Sequence, residues 1–118
     1  MNKRKLGKSG LLVSPIALGA WAIGGWMWGG SNKKDSIKAI HACLDHGITS
    51  IDTAAIYGFG RSEKIIREAI RGKRDRFEIF TNGLLFNGET LDLFLDAHRG
   101  RLHFSIAAAD DAVYKTFR

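Results

Sequence analysis

Residues 35–81 alternate between two kinds of apolar pattern, and that alternation narrows the fold more than any other feature. Ile37, Ile40 and Leu44 recur at helical spacing with Ala39 and Cys43 beside them, and Gly47 follows where a left-handed residue stops a helix. "ITSID" then reads as a short buried strand ending at Asp52. A second helical face follows in Ile65, Ile66, Ala69 and Ile70, closed by Gly72, and "RFEIFT" is a further strand. Upstream, "IALGAW" is a short apolar strand after Pro15 that stops at glycine. Strand, helix, strand, helix, strand with short connections predicts an α/β fold of parallel strands joined by right-handed crossovers. "RKLGKSGLLVS" adds a small hairpin in front, two short strands around a turn at residues 7–10. Ser31 or Asp35 is expected to cap the first helix and Ser62 the second. Lys33 and Lys34 in the first turn oppose the helix dipole at a small cost.

The length, 118 residues, allows one domain with a single core. An apolar share of 45% with 25% charged residues argues for a globular chain over a disordered one. The formal charge of +6 raises the question of nucleic acid. The basic residues gather at 3–8 and 61–76, the latter mixed with Glu63, Glu68 and Asp75, and no aromatics interleave with them. That distribution predicts a solvated surface and no nucleic-acid partner. Cys43 is the only cysteine, which excludes an internal disulfide and predicts a reducing compartment; its helical setting predicts a buried, inert thiol. No run approaches the ~20 apolar residues of a membrane span. Gly7, Ser9 and Gly10 separate the basic residues from "LLVSPIALGA", and Ser14-Pro15 breaks that run, unlike a secretory signal. No membrane partner and a cytoplasmic location are expected. His41 and His46 lie five apart, without the i, i+4 spacing of a helical metal pair, so they read as solvated and no metal is expected.

In a parallel barrel the chemistry gathers at the C-terminal ends of the strands. Gly19, Ala20 and Trp21 end the first core strand, Asp52 the second, and Thr81 and Asn82 the third. Tyr57 lies in the loop just past Asp52, so all of these converge on one rim. In the plainer reading Asp52 only forms a turn and Tyr57 only packs as a ring; on the residues alone both stand. "AIGGWMWGGSNKK" is a glycine- and tryptophan-rich loop whose Trp26 and Trp28 either line a pocket or pack over the end of the core. "GFGRSE" resembles the opening of a dinucleotide fingerprint, but Glu63 stands at the third glycine position and a Rossmann domain is set aside.

The stretches "RKLGKSGLLVSPIALGAW" and "DSIKAIHACLDHGITSIDTAAIYGFGRSEKIIREAIRGKRDRFEIFTN", in that order and spacing, resemble the N-terminal part of an aldo-keto reductase. The similarity covers residues 3 to about 96, and residues 97–118 are an unrecognised tail in which His98 and His103 receive no role. The resemblance implies a partial (β/α)8 barrel of the TIM type: an N-terminal hairpin plus about three strand–helix units, one incomplete domain over residues 1–118. It implies an oxidoreductase that uses NADP(H) to reduce a small carbonyl substrate, an aldehyde or ketone. Tyr57 would be the general acid that protonates the carbonyl oxygen, and Asp52 would orient the network beside it. Gly19, Ala20, Trp21 and Asp52 would lie near the nicotinamide end of the cofactor. Ala20 stands where the family usually carries threonine and lacks its hydroxyl.

Asn82 is the larger departure, because the family pattern has lysine there. A free phenol titrates near ~10, and bringing it near ~7 takes roughly 4 kcal/mol of differential stabilisation of the phenolate. A nearby ammonium supplies that by charge pairing, whereas a neutral amide offers only a hydrogen bond. A complete barrel also needs about 250 residues. The expectation is a truncated reductase, impaired or inactive as it stands. The alternative is a non-catalytic partial barrel that acts through self-association at an exposed sheet edge, or by complementation with another fragment. In the tail, "TLDLFLD" alternates as a strand or as a segment lying across the barrel end, and "SIAAADDAVYKTF" sets Ile106, Ala109, Val113 and Phe117 on one side of a helix capped by Ser105.

Overall fold

The computed structural model describes residues 1–73, 78–82 and 101–104, which form two sheets. Strands β1 (Arg4–Lys5) and β2 (Leu12–Val13) pair antiparallel as the predicted hairpin. Its turn is tied by the Leu6 amide donating to the Leu11 carbonyl at 2.9 Å and by Ser9 Oγ donating to the Leu6 carbonyl at 2.6 Å. In the second sheet β3 (Ala17–Gly19), β4 (Ser50–Asp52), β5 (Glu78–Thr81) and β6 (Arg101–Phe104) lie side by side, every described pairing parallel. Spatial order follows chain order, as in the wall of a singly wound barrel. The register sets Gly19, Asp52, Phe80 and His103 in one row across the four strands.

Three helices accompany the strands among the described residues: α1 (Trp21–Gly24), α2 (Lys33–Asp45) and α3 (Arg61–Ile70). The core is a single apolar layer in which Ile40 of α2 and Ile65, Ile66 and Ile70 of α3 meet Ile51 and Ile79 of the sheet. Each fully buried isoleucine contributes about 1.5–3 kcal/mol. Successive strand residues face opposite ways. Because Ile51 and Ile79 turn to the core, their neighbours Asp52 and Phe80 turn to the open face of the sheet.

Several local expectations are corrected. Asn32, not Ser31 or Asp35, caps α2: its side chain accepts from the amides of Lys34 and Asp35 at 2.9 and 3.2 Å. Ser31 is engaged elsewhere, its hydroxyl donating to the Ile23 carbonyl at 2.7 Å. Ser62 does not cap α3 either. Gly60 precedes the helix with φ 85°, and Gly58 and Phe59 before it have φ 65° and 53°. This left-handed run swings the chain into α3 without a side-chain cap, and Ser62 sits in the first turn facing inward. The tryptophan-rich segment opens with one helical turn, α1, where a loop was expected. Gly47 and Gly72 do occupy left-handed stop positions, with φ 80° and 72°.

The side chains between α2 and α3 also depart from the solvated reading. His41 Nε2 donates to the Ala69 carbonyl at 2.8 Å, and Lys33 pairs with Glu68 at 2.6 Å. The exposed ion pair is worth about 0–1 kcal/mol at most. Cys43 is half-buried, less than its place in the helical pattern predicted. The expected three strand–helix units become four parallel strands, because β6 arises inside the segment read as tail. Four residues carry too little periodicity to stand out alone, and it is the pairing with β5 that defines the strand. The strand expected at 90–96 and the helix expected after Ser105 lie outside the described residues. No helix among the described residues is long and apolar enough to cross a membrane.

Candidate active site

The C-terminal ends of β3, β4 and β5 bring the expected residues to one rim. Among the described residues, none but Gly19 and its chain neighbours stands within 4 Å of where a side chain on Gly19 would begin, so the backbone there is open to approach. Ala20 is fully buried and contributes backbone: its amide donates to the Asp52 carbonyl at 2.9 Å, and its carbonyl accepts from Ser62 Oγ at 3.0 Å. Asp52 itself is exposed, in register with Gly19 on one side and Phe80 on the other.

Trp21 begins α1 and remains 44% exposed. Its ring stacks on Tyr57 with centroids 6.1 Å apart and planes 21° from parallel, and Trp28 meets it edge-on at 5.8 Å. Such pairs add about 0.5–1.5 kcal/mol beyond the area they bury. What permits this stack is contact between two backbones. A Cβ added to Gly24 would stand 2.5 Å from the Tyr57 carbonyl carbon and 2.8 Å from the Gly58 nitrogen. The two tryptophans part ways, and both rings stay exposed rather than packed over the core. Trp28 lines a groove of about 370 Å³ with Ala22, Ile23, Ser31, Asn32 and Ala39, whereas Trp26 packs on Phe59 at 5.5 Å.

Asn82 lies just past β5, and its Oδ1 accepts the Ala55 amide at 3.1 Å. Asn82 therefore holds the start of the Tyr57 loop, a bond that a lysine there, as the resemblance implies, would forgo for want of an acceptor. Behind the rim runs a layer of buried polar groups. Thr53 Oγ1 and Ser62 Oγ are 3.0 Å apart, and Thr81 Oγ1 donates to Glu63 Oε1 at 2.6 Å.

Glu63 is only 4% exposed, and burial pushes its carboxyl above the ordinary value of 4.5, with the Thr81 hydroxyl pulling the other way. A raised acid keeps its proton longer folded than unfolded, so stability falls as pH rises from 4.5 through the folded value. Glu63→Gln removes that dependence. The urea midpoint of the wild type is expected to drop relative to the variant as pH is raised from 4.5 to 7; parallel curves would sink the assignment.

The structure also adds two residues to the rim. His103, left without a role in the sequence, stands on the Gly19–Asp52–Phe80 row, with Nε2 2.6 Å from Glu78 Oε2 and its ring stacked on Phe80 at 4.7 Å. Its only local signal was a histidine between two apolar residues in "RLHF". Arg61, read as part of a solvated basic cluster, turns inward to the carbonyls of Ile23 and Gly24 at 3.2 and 3.3 Å and to Ser31. His98 lies outside the described residues, His41 sits on α2, and His46 caps the C-terminus of that helix.

Comparison with known proteins bears on this arrangement. The model of the aldo/keto reductase family matches residues 15–103, which reaches past residue 96 and takes in all of β6 but Phe104. Aldo-keto reductase YhdN of Bacillus subtilis (strain 168) is 47% identical over 104 residues, 86% of this chain and 31% of that protein. 6-dehydroglucose reductase of Novosphingobium aromaticivorans is 35% identical over 113 residues, 88% of this chain and 36% of that protein. Among solved structures, the glycerol dehydrogenase AKR11B4 from Gluconobacter oxydans superposes with a TM-score of 0.57 at 43% identity, covering 68% of this chain and 24% of its own. The holo form of aldo-keto reductase AKR11C1 from Bacillus halodurans gives a TM-score of 0.61 over 90% of this chain and 41% of its own; at 22% identity it speaks to the fold alone. The chain spans about a third of the length of these curated relatives, and its sheet is part of a (β/α)8 barrel.

Proposed function

The chain belongs to the aldo/keto reductase family, and from that premise we propose that it carries the acid-bearing part of a carbonyl-reductase site, specific for a small aldehyde or ketone and for NADP(H). The observation that carries the reading is the stack of Tyr57 on Trp21 at the rim where Gly19 and Asp52 stand in register. The open backbone at Gly19 and the exposed ring of Trp21 suit a flat nicotinamide. NADP(H), when bound, supplies the hydride. Tyr57 holds the proton that the carbonyl oxygen takes up; Trp21 fixes its ring and Asn82 fixes the start of its loop. Asp52 orients the polar groups beside it. His103 stands on the same row with its Nε2 held by Glu78, which leaves Nδ1 as the ring nitrogen that could meet the carbonyl oxygen. A cytoplasmic setting, suggested by the lone cysteine, belongs to this reading.

Activity is proposed to be weak, because Asn82 brings no cation to the phenol. The test pairs calorimetry with NADPH and steady-state NADPH oxidation over a panel of aldehydes and ketones, for the wild type and for Asn82→Lys. The expected result is measurable nucleotide binding and slow turnover. Asn82→Lys is expected to recover little, since it adds the ammonium but gives up the acceptor for the Ala55 amide. Absence of both NADPH binding and turnover in both proteins would overturn the reading. One observation favours a second reading, the non-catalytic assembly module. Among the described residues β3 pairs on one side only, with β4, whereas a closed barrel has no edge. Sedimentation showing concentration-dependent association without nucleotide binding is the outcome that selects it.

A further inference from the structure

The "GFGRSE" stretch, set aside as a nucleotide fingerprint, carries three consecutive side chains that each reach a different part of the rim. Arg61 donates through Nη1 to the carbonyls of Ile23 and Gly24 and to Ser31 Oγ, and through Nη2 to the Ser31 carbonyl at 2.6 Å. Those carbonyls close α1, the helix that begins at Trp21. Ser62, fully buried, donates to the Ala20 carbonyl just past β3 and shares a hydrogen bond with Thr53, just past β4. Glu63 accepts the hydroxyl of Thr81, the last residue of β5 and the neighbour of Asn82.

Anchoring α3 does not require these groups, because Ile65, Ile66, Ala69 and Ile70 already bury its apolar face. Burying a hydroxyl and a carboxyl costs free energy that apolar residues of the same volume would not. What polar groups add is direction. A hydrogen bond holds its partner within a narrow range of distance and angle, whereas the attraction between apolar groups has no preferred direction.

We propose that Arg61, Ser62 and Glu63 are positioning residues for the candidate site, each holding a different segment in place. Arg61 holds α1 so that Trp21 meets Tyr57. Ser62 locks the end of β3 to the end of β4. Glu63 sets the end of β5, and through it Asn82 and the Ala55 amide. The consequence for catalysis rests on the reading of Tyr57 as the acid; the consequence for geometry does not.

The test uses amide and indole spectra of the full chain, labelled with nitrogen-15 and free of nucleotide. Arg61→Lys is expected to shift the indole signals of Trp21 and Trp28 and the amides of residues 21–31 several-fold more than those of Ala55 and Asn82, because one ammonium cannot span the guanidinium's four acceptors. Glu63→Ala is expected to do the reverse. Glu63→Gln, which keeps an acceptor for Thr81, is expected to restore the wild-type positions, a rescue that a loss of stability would not show. Should Glu63→Ala fail to fold, Glu63→Asp, one methylene short of Thr81, takes its place. Shifts spread evenly over the spectrum in both variants would overturn the proposal, as would Arg61→Lys leaving the indole signals unmoved. An NADPH titration of the wild type separates the two ideas: segment-specific shifts without nucleotide binding would sink the reductase reading and leave the positioning role intact.

Discussion

Gly58→Ala is expected to destabilise the chain by about 2–5 kcal/mol and to separate Trp21 from Tyr57. Two costs add. Gly58 has φ 65°, where an L side chain pays about 1–2 kcal/mol. The added methyl would also stand 2.8 Å from the carbonyl carbon of Gly24 and closer still to its oxygen. Both obstacles are backbone, so neither can swing aside, and overpacking of this kind costs about 1–3 kcal/mol. The control is Gly29→Ala, which has φ 72° with nothing else among the described residues within 4 Å of the new methyl and carries the conformational cost alone. Against a total stability of about 5–15 kcal/mol for an ordinary domain, the difference between the two variants is readily measured as a shift in urea midpoint. Near-ultraviolet circular dichroism reports the loss of the ring stack. Midpoints for the two variants that agree within about 1 kcal/mol would refute the backbone contact.

The second large effect is chemical and leaves the fold alone. Tyr57→Phe keeps the ring that stacks on Trp21 and removes only the hydroxyl. A positioned general acid contributes about 10²–10⁴-fold. Turnover is expected to fall by that factor, in whichever of the wild type and Asn82→Lys is faster, while NADPH affinity and the urea midpoint stay close to their starting values. A loss below about tenfold would move the acid elsewhere, and His103 is the next group on that row. Loss of nucleotide binding along with turnover would instead show that the hydroxyl, and not the ring, was building the pocket.

The parts of this molecule that could be read along the chain are those whose cause is local. The face made by Ile65, Ile66, Ala69 and Ile70 needs only its own spacing, and it is buried as that spacing requires. The apolar run before Asp52, the hairpin at the N-terminus and the glycines at 47 and 72 are equally local. Because strand ends of a parallel sheet share one edge, placing Gly19, Asp52 and Asn82 on three such ends was enough to put them on one rim.

Other features needed the assembled chain. Ser31, Asn32 and Asp35 are all competent caps in isolation; Asn32 prevails once Ser31 has turned back to Ile23, eight residues away. Arg61 and Glu63 look like two members of a mixed charged surface. They turn inward because α1, β5 and α3 meet there, through bonds that span 37 and 18 residues. β6 exists as a strand by virtue of β5, so His103 could not be placed before that pairing was known. Asn82 stood out only by the resemblance, as a departure from an expected lysine, and its hold on Ala55 crosses 27 residues. Periodicity, turns and strand ends follow from neighbours within a few positions of the chain. The buried polar layer and the ring stack follow from distances that exist only after the sheet has brought the ends of β3, β4 and β5 together with α3.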